Sequence, residues 1–392
     1  MRLALVALIA AFALSTQPLQ SAPAPDVALP KDVLPVTAVY LAKGPPDSCG
    51  RGCDRWIAVE GKMDAGAAER LRKLYAAQKA VNLPVYLYSP GGDVRQGLAM
   101  GRLLRVRKAT ARVARTVVKE CGVDGQGEAA CLKLKQSGRE LEAELVEAGA
   151  FCNSSCAYML VGAAMREIAP EAVIGVHSAR VTISYSGGRA PARSVREQFA
   201  SRATARLDRD LADYFGAMGI DRDLLELIKT VKFEQMHALK RDELRRFGID
   251  KRELIETSWR FVDRGTQKSY IDKIVQQRDA DHPLGFRGLR WRLGCSTASN
   301  MRVDYRSNGS ESLASAVIRF GADQKIVLAA TSDAQVRGAR VADAIVDKLK
   351  SASQLSLMEV LTDPLAQPRE TMLSTDGLAS AAEQLAKTCR TS

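Results

Sequence analysis

Arg55-Trp56-Ile57-Ala58-Val59, then Ala65 to Val81, then Pro84-Val85-Tyr86-Leu87-Tyr88, then the turn Ser89-Pro90-Gly91-Gly92, then Val94 to Arg105: this stretch decides the fold. Its first and third segments are short β-branched and aromatic runs, while 65–81 and 94–105 place apolar residues near helical spacing. Ala111 to Val118 is β-prone again. Strands alternating with helices predict crossover units, an α/β fold and a largely parallel sheet.

Downstream, Gly122 to Gly149 turns polar and charged, with Glu140 to Glu147 helical in pattern, and reads as a surface insertion stapled at its base by Cys121 and Cys131. Strand-like Glu171 to Ser178 and Arg180 to Ser186 follow, then helix-like Ser194 to Met218 and Asp221 to Lys229. From residue 265 short β-prone runs take over, at 289–293, 301–305, 315–320, 325–330 and 356–361, before a helix-like Gly377 to Thr388. The expected organisation is an α/β domain over 37–264 and a smaller, mainly β domain over 265–392. No internal repeat stands out.

Upstream, residues 1–22 have one Arg, an apolar run from Leu3 to Leu14, and small and Pro-containing residues after it, the layout of a secretory signal peptide. Residues 23–36 read as a flexible leader. No later stretch is long and apolar enough for a membrane helix. An exported, periplasmic or secreted protein is the expectation, so the eight cysteines are expected to pair. Neighbours pair as Cys49–Cys53, Cys121–Cys131 and Cys152–Cys156, which leaves Cys295–Cys389, although eight cysteines allow about 105 connectivities. The competing use is zinc held by the two C-x-x-x-C pairs, against which no His stands at ligand spacing.

Of the 392 residues, 46% are hydrophobic and 26% charged, which excludes a wholly disordered, collagen-like or coiled-coil chain. The net charge of +12 favours acidic partners without naming one. The basic run Arg102, Arg105, Arg107, Lys108, Arg112 and Arg115 lacks the interleaved aromatics of a single-strand nucleic-acid groove and reads as a solvated helix face. No nucleic-acid partner is expected.

Three segments could carry chemistry. In Cys152-Asn153-Ser154-Ser155-Cys156-Ala157-Tyr158-Met159-Leu160-Val161-Gly162 a hydroxyl pair opens an apolar helix-like run, where unpaired N–H groups stabilise an oxyanion. Ser is also a preferred helix N-cap, the competing reading. In Ser89-Pro90-Gly91-Gly92-Asp93-Val94 bare glycine backbone could offer N–H donors to a ligand or simply turn the chain. Val173-Ile174-Gly175-Val176-His177-Ser178 ends a β-prone run on His177, which within reach of a serine would serve as general base. His237 and His282 stand in polar, loop-like contexts.

Taken in this order, the three segments resemble the Clp-protease/crotonase superfamily, and within it the predicted periplasmic, ATP-independent Clp-like serine proteases. The likeness rests on Ser89 to Gly92, on Ser154 between two cysteines with Gly162 and Arg166 after it, and on Gly175 to His177; it spans about residues 50 to 250. It implies repeated ββα units, Ser154 as nucleophile with Ser155 as its rival, His177 as base, and backbone N–H groups of Gly91, Gly92 and Ser155 as the oxyanion hole. It also implies an oligomer. The family's acid precedes a Gly-Leu-x-Asp-like end, here Phe247-Gly248-Ile249-Asp250; counting back lands near Met236, with Glu234 the nearest acid and Asp208, Asp210 and Asp213 the alternatives.

The expectation is therefore an exported serine hydrolase, a peptidase acting on peptides or unfolded chains, with no metal, no organic cofactor and no ATPase partner. Its rival is a non-catalytic binding module on the same fold. The two part on whether an acid reaches His177 and whether Ser154 faces the Gly91-Gly92 turn.

Overall fold

A computed structural model describes residues 30–77, 82–181, 192–265, 268–297, 300–309, 312–320, 324–333 and 335–390. The segment read as a signal peptide, the leader up to residue 29, and 182–186 of the second β-prone run lie outside the described residues.

The first part of the chain runs β1 (Ala38–Lys43), β2 (Arg55–Glu60), α1 (Ala67–Ala77), β3 (Val85–Tyr88), α2 (Val94–Val106), β4 (Thr110–Val113), β5 (Arg115–Val118), α3 (Ala129–Lys135), β6 (Leu141–Val146), β7 (Phe151–Asn153), α4 (Ser155–Gly162), β8 (Met165–Glu167), β9 (Val173–Val176), α5 (Arg193–Ala217), α6 (Asp223–Thr230), β10 (His237–Ala238) and α7 (Arg241–Arg246). Its main sheet has the order β5-β6-β1-β2-β3-β4-β8, parallel from β2 through β8 and between β6 and β1, antiparallel elsewhere. All four residues of β3 are buried, as expected of an interior parallel strand covered on both faces. A second sheet, β10-β9-β7, is joined to the end of β3 by a parallel bridge between Ser89 and Cys152.

α2 and α4 lie backbone to backbone. A Cβ on Gly97 would collide with the Ser155 carbonyl, and one on Gly162 with the backbone of Gly101, so glycine is what brings the two helices together.

Three sequence expectations change. Residues 140–147 are not helical: Leu141 and Ala143 are buried while Glu142 and Glu144 are exposed, a period of two, and β6 is an integral strand of the main sheet. The glutamates favoured the helical reading, but the apolar alternation wins. The staple at Cys121–Cys131 stands, and beyond it Lys135 of α3 reaches Glu60 at 2.8 Å inside the core, where Tyr40 Oη and the Thr116 N–H also donate to that carboxylate. The end of the leader is docked, with Leu34 buried and Asp32 paired with Arg115 at 3.1 Å. The mainly β part begins earlier than 265, because Leu254–Glu256 and Arg260–Val262 already pair with its strand Tyr270–Arg278.

That part is a ten-stranded, wholly antiparallel sheet among the described residues, curled into a near-barrel with its own core around Trp291, Leu293 and Leu357. Distant strands meet inside it: Arg287 pairs with Glu359, which also accepts from Tyr305 Oη at 2.7 Å. Arg241 Nε donates to Gln276 at 2.9 Å and Arg260 pairs with Glu171, linking the two parts.

Candidate active site

The pairing of β7 with β9 sets the geometry. Cys152 lies opposite Ile174 and Asn153 opposite Gly175, the Ser154 N–H donates to the Gly175 carbonyl at 2.8 Å, and His177 follows one residue beyond the end of β9. Ser154 and His177 thus follow the same ends of neighbouring parallel strands, whose backbones lie about 5 Å apart.

Ser154 links β7 to α4 with φ 56° and ψ −122°, a conformation that a non-glycine residue rarely adopts. It occupies the N-cap position, but its side chain makes no capping hydrogen bond. The capping reading therefore fails. Ser154 is half-buried, whereas Ser155 is fully buried with its hydroxyl donating to Met63 Sδ at 3.3 Å.

The Gly91-Gly92 turn packs directly on this elbow. A Cβ on Gly91 would stand 2.8 Å from Ser154 Cβ and 3.1 Å from the Ser155 nitrogen, and both glycines have φ in the range that excludes ordinary side chains, +93° and +144°. The turn is held by Met63, whose N–H donates to the Gly91 carbonyl at 2.8 Å and whose carbonyl accepts from the Asp93 N–H at 2.9 Å. Of the three expected oxyanion donors, the Gly91 N–H is engaged by Ser89 Oγ at 3.1 Å. The N–H groups of Gly92 and Ser155 have no partner among the described residues.

His177 is buried, with 7% of its surface exposed, and Phe233 meets its ring edge-on at 5.1 Å. Burial holds the imidazole below its usual pKa, against the smaller opposing pulls of the Ser178 backbone and the Glu234 charge. The shift favours the neutral imidazole. Glu234 itself is exposed and paired with Arg180, which also lies over the Phe233 ring. No hydrogen bond joins Glu234, Asp208, Asp210 or Asp213 to His177, and its buried Nδ1 has no partner among the described residues. Asp250 is a structural clamp, accepting from the Ile168 N–H at 3.0 Å, Arg241 at 3.1 Å and Arg252 at 2.6 Å.

The remaining candidates have structural uses. All eight cysteines are in the four disulfides expected, Cys49–Cys53, Cys121–Cys131, Cys152–Cys156 and Cys295–Cys389, so neither C-x-x-x-C pair offers thiolates to a metal. His237 pairs with Glu243 at 3.0 Å. Within the basic run, Arg105 donates to the Met218 carbonyl at 3.1 Å, Arg112 to Glu167 at 2.6 Å and Arg107 to the Tyr75 carbonyl at 3.3 Å. Among the described residues no helix is long and apolar enough to cross a membrane. Sequence reasoning passed over Asn153, Met63 and Phe233; the first lies inside the serine segment itself, while the other two carry no local signal. No protein-family model matches the chain, and no curated protein matches it.

Proposed function

We propose that the protein is an exported serine hydrolase of Clp-like type, a peptidase that forms an acyl-enzyme on Ser154. The observation that carries this reading is the backbone of Ser154: a strained strand-to-helix residue, uncapped, half-buried and packed against a diglycine turn. Backbone strain of this kind costs about 1–3 kcal/mol and persists where a function needs the position. An elbow of strand, nucleophile and helix is also how other serine hydrolases lift a hydroxyl above a sheet.

In this mechanism neutral His177 takes the Ser154 proton as the hydroxyl attacks a peptide carbonyl, and the N–H groups of Gly92 and Ser155 receive the oxyanion. The amine leaves with the proton from His177. Water then repeats the sequence on the ester, and Ser154 is restored. The four disulfides and the expected signal peptide support an oxidising compartment outside the cytoplasm, where peptides or unfolded chains are substrates and no ATPase takes part. The second reading, a binding module, draws on one observation, that no carboxylate meets His177.

The test is intact-mass analysis of the oxidised protein after a fluorophosphonate probe, beside Ser154→Ala, Ser155→Ala and His177→Ala. A single adduct, absent in Ser154→Ala, retained in Ser155→Ala and reduced in His177→Ala, is expected. A folded wild type that takes no adduct overturns the hydrolase in favour of the binding module.

A further inference from the structure

Two buried polar atoms at the site have no hydrogen-bond partner among the described residues, His177 Nδ1 and Asn153 Oδ1. Left so, each has given up its hydrogen bonds to water without replacement. Their chemistry is complementary, since an Nδ1–H donates and an amide carbonyl accepts.

Their placement is complementary too. Asn153 lies opposite Gly175, and side chains two residues apart on a strand project from one face, so the amide and the imidazole share a face of the β7–β9 pair. The Asn153 oxygen occupies the space that a Gly175 side chain would fill, and Met236 Sδ closes that space at 2.6 Å from where a Cβ would stand. Nothing at 175 separates acceptor from ring. Phe233 packs edge-on against the ring, and Glu234, whose charge acts on it, is paired with Arg180.

We infer that Asn153 is the positioning residue of the site: its side-chain carbonyl accepts from the His177 Nδ1–H, directly on a small rotation or through one water. This fixes the tautomer whose Nε2 is the base. The inference rests on the hydrolase reading for its purpose, but not for its test. An amide carries no charge, so it orients the ring without stabilising the imidazolium, and a carboxylate in its place should do both.

With only three histidines in the chain, His177 is assignable by nitrogen-15 NMR of the full-length oxidised protein using His177→Gln. At pH 8 the wild type is expected in the Nδ1–H tautomer, and Asn153→Ala in a mixture dominated by Nε2–H, with fluorophosphonate labelling about 10–100-fold slower, within the range for general-base contributions. Asn153→Asp should restore the Nδ1–H tautomer, match or exceed wild-type labelling, and move its acid limb up by about one pH unit. An unchanged tautomer in both variants overturns the inference, and so does a wild type already in the Nε2–H form. If the wild type takes no probe while the tautomer follows Asn153, the contact stands and the hydrolase reading falls.

Discussion

Gly91 packs so closely on Ser154 that a single methyl group on it would sit 2.8 Å from the serine Cβ and 2.6 Å from the Asn153 carbonyl oxygen. The diglycine turn is thus one wall of the site. Gly91→Ala must push the turn off the elbow and carry the Gly92 N–H with it. Fluorophosphonate labelling should fall about 10²–10³-fold, the loss seen when an oxyanion donor is removed, while circular dichroism stays that of a folded protein. Labelling within about threefold of wild type would separate the turn from the chemistry.

Ser154 holds φ 56° without glycine's freedom, so Ser154→Gly should relieve strain as it removes the hydroxyl. A gain of about 1 kcal/mol, or about 2–4 °C in Tm for a domain of this size, is expected together with complete loss of labelling. A fall in Tm would mean that the serine side chain holds the elbow in place.

Lys135 and Glu60 form an ion pair with 2% and 4% of their side chains exposed. Lys135→Met leaves the Glu60 carboxylate charged and buried, and urea unfolding should record a loss of about 3–5 kcal/mol. Adding Glu60→Gln to the same protein should recover a large part of it.

Glu147 sits half-buried near the junction of the two parts, and burial pushes its pKa up to about 7, with Glu171 adding to the rise and Arg260, Arg112 and Lys273 opposing it. Because the folded value is raised above the usual 4.5, its contribution to stability is full below pH 4.5 and is lost as pH rises through 7. Glu147→Gln should therefore raise Tm at pH 8 and leave it unchanged at pH 4. Equal Tm changes at both values would contradict this.

The alternating segments from Arg55 to Arg105 were legible because propensity, period and turn residues agree there. At Leu141 to Val146 they disagree: glutamates favour helix, the period of two favours strand, and the neighbouring strands decide. The site divided along similar lines. Ser154, Gly91, Gly92 and His177 lie on short segments whose local residues announce a turn, a helix start and a strand end. Counting along the chain points to Glu234, and only its tertiary pairing with Arg180 shows where its carboxylate goes. Asn153 was invisible for the opposite reason, since an amide beside a serine has no pattern of its own until β7 is laid against β9.

The bare contact of α2 with α4 has a mechanical meaning. Gly97 rests on the carbonyl of Ser155 and Gly101 on Gly162, so the serine helix is seated at both ends on main chain, which has no rotamers to change. Its seat works like a machined bearing: repacking of nearby side chains cannot shift the hydroxyl, and only separation of the helices can. The position of the proposed nucleophile is then as durable as the core beneath it, and on heating the Ser154 hydroxyl should keep its place until the domain itself gives way.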